Sequence, residues 1–559
     1  MTDASRSARV MRTLARILTA LAAVEGLLCL YVLAFGGVRF DTGPVVISAG
    51  TWRRPLAQGI ALALVASVLY WRDAVRHGEW DIVPRVMRRV ASRLVSAIRD
   101  FTRQAASNIG TEPLLWTGIV LAAIAASIVS YRVATLTFVL GSAEEGWGYL
   151  YIRDVSWRIA TIVVIVGMST GAALRWLTAP RNARKEWAMA IAWIALATGC
   201  QVLLRSLTPF GFGEIFLSDG ANSFYTVTQQ FDAASVLNRF AELRVEWPMH
   251  AHSNMPGKLM LLYALERVSN DPTVLSWLLL TISNLGGLLL YLLIRDLFRD
   301  RQIAIYALVL YLFVPAKLFF FPLMNTVTPV VAFACLLMFE RWLQRASLAY
   351  GSAAAVSLYG LVFFEPVPLV VGALVAMILS RALVRREIAM TTLIKQGALL
   401  IATFFGVFAL VWLLFDFNLA DAFRRVVADA AAFNASANRQ YGHWVWRNLV
   451  EFGFGTGICQ VVLFWFAAAD GLGSKAGSFL ERPIAFYSIA VLVMLLVLDL
   501  AGVNRGEVIR LWIFLACLFQ VPAAYVCARL ESRAAFAIVL ILTIVQSALA
   551  TATIGFVVP

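Results

Sequence analysis

The chain has 559 residues, of which 61% are hydrophobic and 14% charged, with a net charge of +14. A mean hydropathy of +0.78 excludes a water-soluble globule, because no soluble fold hides that much apolar surface, and lipid must be the solvent for most of the chain. The basic excess does not signal nucleic acid: the arginines stand in short runs at the ends of apolar segments, where they set membrane topology.

Apolar stretches of about 18 to 25 residues recur from end to end, the length a helix needs to cross a hydrocarbon layer of ~30 Å. Strand-length alternating segments are missing from the pattern, so the predicted fold is all-α, a polytopic bundle of about 13–15 transmembrane helices and not a barrel.

The N-terminal arm carries Arg6, Arg9, Arg12 and Arg16, and the first apolar helix reaches about Gly36. Its basic start resembles a signal peptide, but the apolar stretch is too long for an h-region and no A-x-A site follows. It reads as a retained span with a cytoplasmic N-terminus. A second span covers residues 56–71. In the Arg-rich stretch 72–112, Val86, Val90, Leu94 and Ile98 recur at helical spacing among Arg85, Arg88, Arg89, Arg93 and Arg99, which predicts a basic amphipathic helix on the cytoplasmic face.

A third helix, 115–140, leads to an acidic, aromatic outer loop with Glu144, Glu145, Trp147, Tyr149 and Tyr151, and a fourth returns to the basic turn 175–185. The fifth, 187–207, emerges into a long exoplasmic loop, 208–258. Residues 259–268 are apolar but too few to span, so they should lie in the outer interface. The sixth span, 274–293, ends in Arg295, Arg299 and Arg301; about nine more follow, with basic turns at 341–345 and 381–386 and outer loops at 416–444 and 499–510. This organisation divides into a four-helix module, residues 1–185, and a second module, 186–559. Cys29, Cys200, Cys335, Cys459, Cys517 and Cys527 stand singly in apolar segments and imply neither a disulfide nor a metal site.

Ionisable groups are few within the spans, whereas His250, His252 and His443 fall in outer loops together with Asp219, Asp232, Glu246, Arg439, Tyr441, Glu507 and Arg510. A proton or ion pump would place carboxylates at mid-membrane instead, so the asymmetry points to chemistry or binding at the outer face.

One order of elements stands out: Asp219 in a Ser-Asp-Gly turn, then His252 to Pro256, the half-length helix, a full span, and Arg295-Asp296-Leu297-Phe298-Arg299. From about residue 187 to the C-terminus this resembles the GT-C superfamily of lipid-linked-sugar glycosyltransferases, which includes protein mannosyltransferases, aminoarabinose transferases and actinobacterial arabinofuranosyl- and mannosyltransferases. The resemblance implies an enzyme of the bacterial inner (plasma) membrane with an exoplasmic, periplasm-facing active site, acting in cell-wall biogenesis. It would transfer a sugar from a polyprenyl-phosphate donor to a glycan, lipid or protein acceptor. A nucleotide-sugar donor is disfavoured, since neither a soluble glycosyltransferase domain nor a Gly-rich phosphate loop is legible. The chain departs from the family pattern in having His-Ser-Asn-Met-Pro where His-Pro-Pro is common. It also has Ser-Asp-Gly where many relatives carry Asp-Asp or Asp-Glu, so no metal ligand is assigned, although a divalent ion remains an option.

In this reading Asp219 is the catalytic base, desolvated by Phe216 and Phe224. His250, His252, Lys258, Arg439, Tyr441, His443, Glu507 and Arg510 are donor- or acceptor-binding candidates, with Lys258, Arg439 and Arg510 on the leaving phosphate. Each has a plainer alternative. Asp219 would cap the following helix, Lys258 would snorkel to headgroups, and Glu507 would pair with Arg510 one turn away. Arg439, Tyr441 and His443 would be solvated beside an aromatic belt at Trp444 and Trp446. Zinc held by His250, His252 and Asp219 lacks a fixed third ligand. The competing function is a transporter or flippase of lipid-linked saccharides, which calls for polar groups at mid-span or interrupted helices in repeated positions.

Overall fold

The computed structural model describes residues 38–41, 46–49 and 111–559, besides 18 and 21, with breaks at 143, 145, 153–155, 176–182 and 474–478. The first two expected spans, the basic amphipathic segment around residues 85–99 and most of the basic turn 175–185 lie outside the described residues. Packing divides the chain into Met1–Ala105 and Ala106–Pro559. In the first part, Val38–Asp41 and Val46–Ala49 pair as antiparallel strands.

The second part is an all-α bundle. Among the described residues ten helices are long and apolar enough to cross a membrane, or up to eleven if the bent pair Tyr441–Thr456 and Ile458–Gly473 is one span. The chain is accordingly a multi-pass membrane protein. Two further apolar helices, Leu348–Phe364 and Ile513–Arg529, are too short to meet the same length criterion.

Local chemistry sets the helix limits. Pro272–Phe298 begins with Asp271 as N-cap, its carboxylate accepting from the Val274 amide, and with Pro272 in the first turn. It ends where Arg299 turns left-handed at φ 56°. Its 27 residues extend about 40 Å at 1.5 Å per residue, enough to cross with tilt. The next helix, Arg301–Leu312, is buried all round from Ile303 onwards, which explains a sequence without a polar face. Pro315 then restarts the chain as Pro315–Phe320. Inside this core Lys317 lies 3.7 Å from the Tyr311 ring centre and 3.4 Å from Asn284 Oδ1. Asn284 in turn bonds Gln201.

The bundle has two chemically distinct ends. At one, the basic turns meet acidic partners: Arg295 with Glu186 at 3.3 Å, Arg341 with Asp296 at 3.3 Å and Arg381 with Glu340 at 2.8 Å. At the other, the helices open into the segments that hold the candidate site. The stretch 208–258, expected as a loop, is a chain of short helices with its own apolar core around Phe216, Phe224, Phe240 and Trp247. Likewise 416–444 contains an amphipathic helix, Leu419–Ser436.

The division by packing falls ahead of the boundary expected after residue 185. Thr111–Ala134 packs on Ile458–Gly473 and on Arg533–Thr553, and Trp157–Leu174 packs on Arg533–Thr553. Leu150–Tyr151 even forms a short antiparallel pair with Ile554–Gly555. A sequence scan ordered by motif has no access to such contacts, because they join opposite ends of the chain.

Candidate functional site

A cavity of about 430 Å³ lies where these segments converge. Its walls come from six stretches: Ala221 to Phe224, Met249 to Asn254, Leu323 to Asn325, Glu365 to Val367, the inner face of Leu419–Ser436 with Arg439 beyond it, and Val503 to Leu511. A second cavity of about 230 Å³ adjoins it, lined by Trp147, Tyr149, Phe320 and Phe556. His250, Glu507 and Arg510 line both cavities and form a shared wall.

Glu507 anchors that wall. It is 6% exposed and bonded to Arg439 Nη2 at 3.0 Å, and it also accepts a short ion pair from Arg510. Burial pushes its carboxyl pKa up, but Arg510 and Arg439 outweigh that and hold it below the ordinary glutamate value. The pairing with Arg510 expected from i,i+3 spacing is present, yet it forms one half of a three-residue group. Arg439 is fixed further by bonding the Arg505 carbonyl at 2.7 Å, and Arg505 returns a bond to the Arg439 carbonyl at 2.7 Å. Its guanidinium also lies over the rings of Phe433 at 4.7 Å and Trp147 at 5.3 Å. Two guanidinium groups on one buried carboxylate, with Arg505 also lining the cavity, leave the wall electropositive, a setting suited to an anion.

His250 Nε2 lies 2.8 Å from the Gly220 carbonyl. Burial first, and then Arg510, push its pKa down to about 4, so the ring is neutral at physiological pH. A carbonyl only accepts, so Nε2 carries the proton and Nδ1 is the acceptor nitrogen. Arg510 Nη1, at 3.4 Å from Nε2, is therefore a packing neighbour of that N–H and not its donor.

His252 also sits in the cavity wall, its Nδ1 donating to the Arg244 carbonyl at 2.7 Å. Its Nε2 faces Asp429 at 3.4 Å. Asp429 is itself ion-paired to the buried Arg244.

The structure places four residues singled out from sequence differently from what was expected. Lys258 is fully buried, 3.0 Å from Glu365 and 2.7 Å from Asn254 Oδ1. Burial pushes its ammonium pKa down while Glu365 works against that. A cation so engaged neither snorkels nor reaches a leaving phosphate, so Lys258 holds the half-length helix Gly257–Glu266 to the end of Leu348–Phe364. Asp219 is exposed and not desolvated: Thr226 donates to its carboxylate, and Ser218, not Asp219, caps the helix Asp219–Asn222. It lines neither cavity, although its chain neighbours Gly220 and Ala221 line the smaller one. His443 and Tyr441 lie outside the cavity lining; Tyr441 bonds the Leu500 carbonyl at 3.0 Å and carries Arg505 over its ring.

The sequence reading missed Asn222, Glu365, Asp429 and Arg505, all of which line the cavity. Asp429 had a signal, since Leu419, Ala422 and Val426 recur at helical spacing and are buried, and the next step of that face is Asp429. Among the described residues no group of three or more His, Cys, Asp or Glu side chains is placed to hold a metal ion.

The Lys258–Glu365 pair makes a direct prediction. Removing one member strands a charge in a dry site, so Glu365→Gln and Lys258→Met should each cost roughly 3 kcal/mol of stability, while the double variant should recover most of the loss. Thermal unfolding of the four proteins in one detergent checks this; additive losses would show that the pair is not coupled.

Comparison with protein-family models finds no match, and no curated protein matches the sequence.

Proposed function

We propose that the protein is a membrane glycosyltransferase that moves a sugar from a polyprenyl-phosphate donor to an envelope glycan, lipid or protein on the exoplasmic face. One observation carries this reading: a cavity at the end of the bundle away from the basic turns combines Arg439, Arg505 and Arg510 with apolar walls from Phe224, Leu323, Met324 and Val426. An amphiphile with an anionic head and an apolar tail matches both. Arg439 and Arg510, held in place by Glu507, stabilise charge as it grows on the departing phosphate. Asp219, next in the chain to the lining residues Gly220 and Ala221, takes the proton of the acceptor hydroxyl, the oxygen attacks the anomeric carbon, and the C–O bond to phosphate breaks. A single displacement inverts that carbon. By the positive-inside bias, the end with Arg295, Arg341 and Arg381 is cytoplasmic.

Transport of an intact lipid-linked saccharide is the second reading, favoured by the 99° bend between Tyr441–Thr456 and Ile458–Gly473 and the buried polar cluster of Lys317, Asn284 and Gln201. Purified protein in vesicles, given farnesyl-phosphate esters of mannose, arabinofuranose or aminoarabinose and envelope extract, separates the two. Transfer releases free farnesyl phosphate and adds a sugar mass to an acceptor, both read by mass spectrometry. Movement of the uncleaved lipid across the bilayer, without release, would replace transfer by transport.

A further inference from the structure

We infer that Asn222 is the residue that reads the hydroxyl groups of the sugar head, as distinct from the arginine wall that reads its phosphate; this rests on the lipid-phosphate-sugar reading above. Asn222 lines the larger cavity and is 1% exposed. Neither its Oδ1 nor its Nδ2 has a hydrogen-bond partner. Buried polar side chains are satisfied in the large majority of cases, and an amide left without partners is costly unless a ligand completes it.

The amide is also held in place. The Asn222 backbone N–H bonds the Ser218 carbonyl at 2.7 Å, and the next residue, Ser223, accepts from the Ala251 amide at 2.9 Å through its Oγ. On the other side the Gly220 carbonyl accepts from His250 at 2.8 Å. Two short helices, Asp219–Asn222 and Met249–His252, are thus clamped together around a side chain whose own bonding capacity is unused.

The chemistry of that capacity selects the ligand. A carboxamide offers two donors and an acceptor oxygen in one plane, complementary to neighbouring hydroxyls that both donate and accept. It carries no charge, so it adds little to the grip on phosphate that Arg439, Arg505 and Arg510 already supply. A site built to bond hydroxyls also rejects a ligand without them, because the amide then stays unpaired. The cavity therefore divides its recognition: guanidinium groups for the anion, Asn222 for the polyol.

The test uses full-length protein in nanodiscs, with farnesyl phosphate and its esters with mannose, arabinofuranose and aminoarabinose as probes, and dissociation constants as readout. The wild type is expected to bind at least one ester more tightly than farnesyl phosphate. Asn222→Leu and the smaller Asn222→Ala should weaken that ester by about 10- to 100-fold, leave farnesyl phosphate unchanged, and melt no lower than wild type without ligand. Retention of the sugar preference in both variants overturns the assignment, as does unfolding of both, which would make the amide structural. Equal binding of ester and farnesyl phosphate by the wild type also overturns it while leaving the phosphate site standing. Failure of every probe to bind the wild type overturns the functional reading itself.

Discussion

A variant that lacks residues 1–179 is expected to insert into the membrane yet lose transfer completely. The resemblance to known glycosyltransferases begins only near residue 187, and every candidate from the sequence lies beyond it, so the sequence taken alone favours a dispensable N-terminal module. The packing argues otherwise. Removal of Thr111–Ala134 and Trp157–Leu174 strips Arg533–Thr553 of the two helices it packs on most extensively. It also removes the strand partner of Ile554–Gly555 and the Trp147 and Tyr149 wall of the smaller cavity. Arg447 loses the Gly141 carbonyl it bonds at 2.8 Å, and Arg439 loses the Trp147 ring. In lipid, exposed apolar helix faces are tolerated because tails solvate them, so insertion should survive. The placement of Arg439 against Glu507 should not. Deleting an even number of spans keeps the remaining topology if the basic turn 181–185 is retained. Transfer and probe binding by the purified shortened protein are the measurements, and near-wild-type turnover would restore the N-terminal module as separable.

Asp219→Asn should lower transfer by about two to four orders of magnitude, the usual contribution of a positioned general base, with folding unaffected. The side chain is exposed, its only described bond is from Thr226, and asparagine keeps both shape and acceptor oxygen. Asp429→Asn gives the contrast. Asp429 lines the cavity but is ion-paired to Arg244, a residue 3% exposed, so its loss strands a buried guanidinium and should reduce the melting temperature. The two differ in their partners: Asp219 accepts only a neutral hydroxyl's hydrogen bond, whereas the Asp429 carboxylate is committed to the Arg244 ion pair. Transfer rates and melting curves for both variants decide the assignment; unchanged turnover in Asp219→Asn with collapse in a well-folded Asp429→Asn would move the base to Asp429.

The class of protein was legible in the sequence because the bilayer imposes a length and a composition on every segment that crosses it. The spans around 115–140, 187–207 and 274–293 are present as Thr111–Ala134, Ala183–Arg205 and Pro272–Phe298, and the half-length segment is Gly257–Glu266. The segments between spans were less legible. Leu419–Ser436 reads as a loop on hydropathy because an amphipathic helix averages to neutral, although its spacing is helical. The gathering of His250, His252, Arg439, Glu507 and Arg510 between the spans was likewise visible, since charge is driven out of hydrocarbon whatever the fold.

Length, composition and periodicity thus set the solvent of the chain and its helical spans. How the polar groups are engaged came from packing alone. It placed Lys258 against Glu365 and Arg439 against Glu507, left Asn222 buried without partners, and brought Trp147 and Phe556 to the cavity beside the histidines. The difference is one of range. Periodicity and capping report on neighbours within a helical turn, whereas these pairs join segments far apart in the chain, and their desolvation and charge balance exist only once the helices have packed.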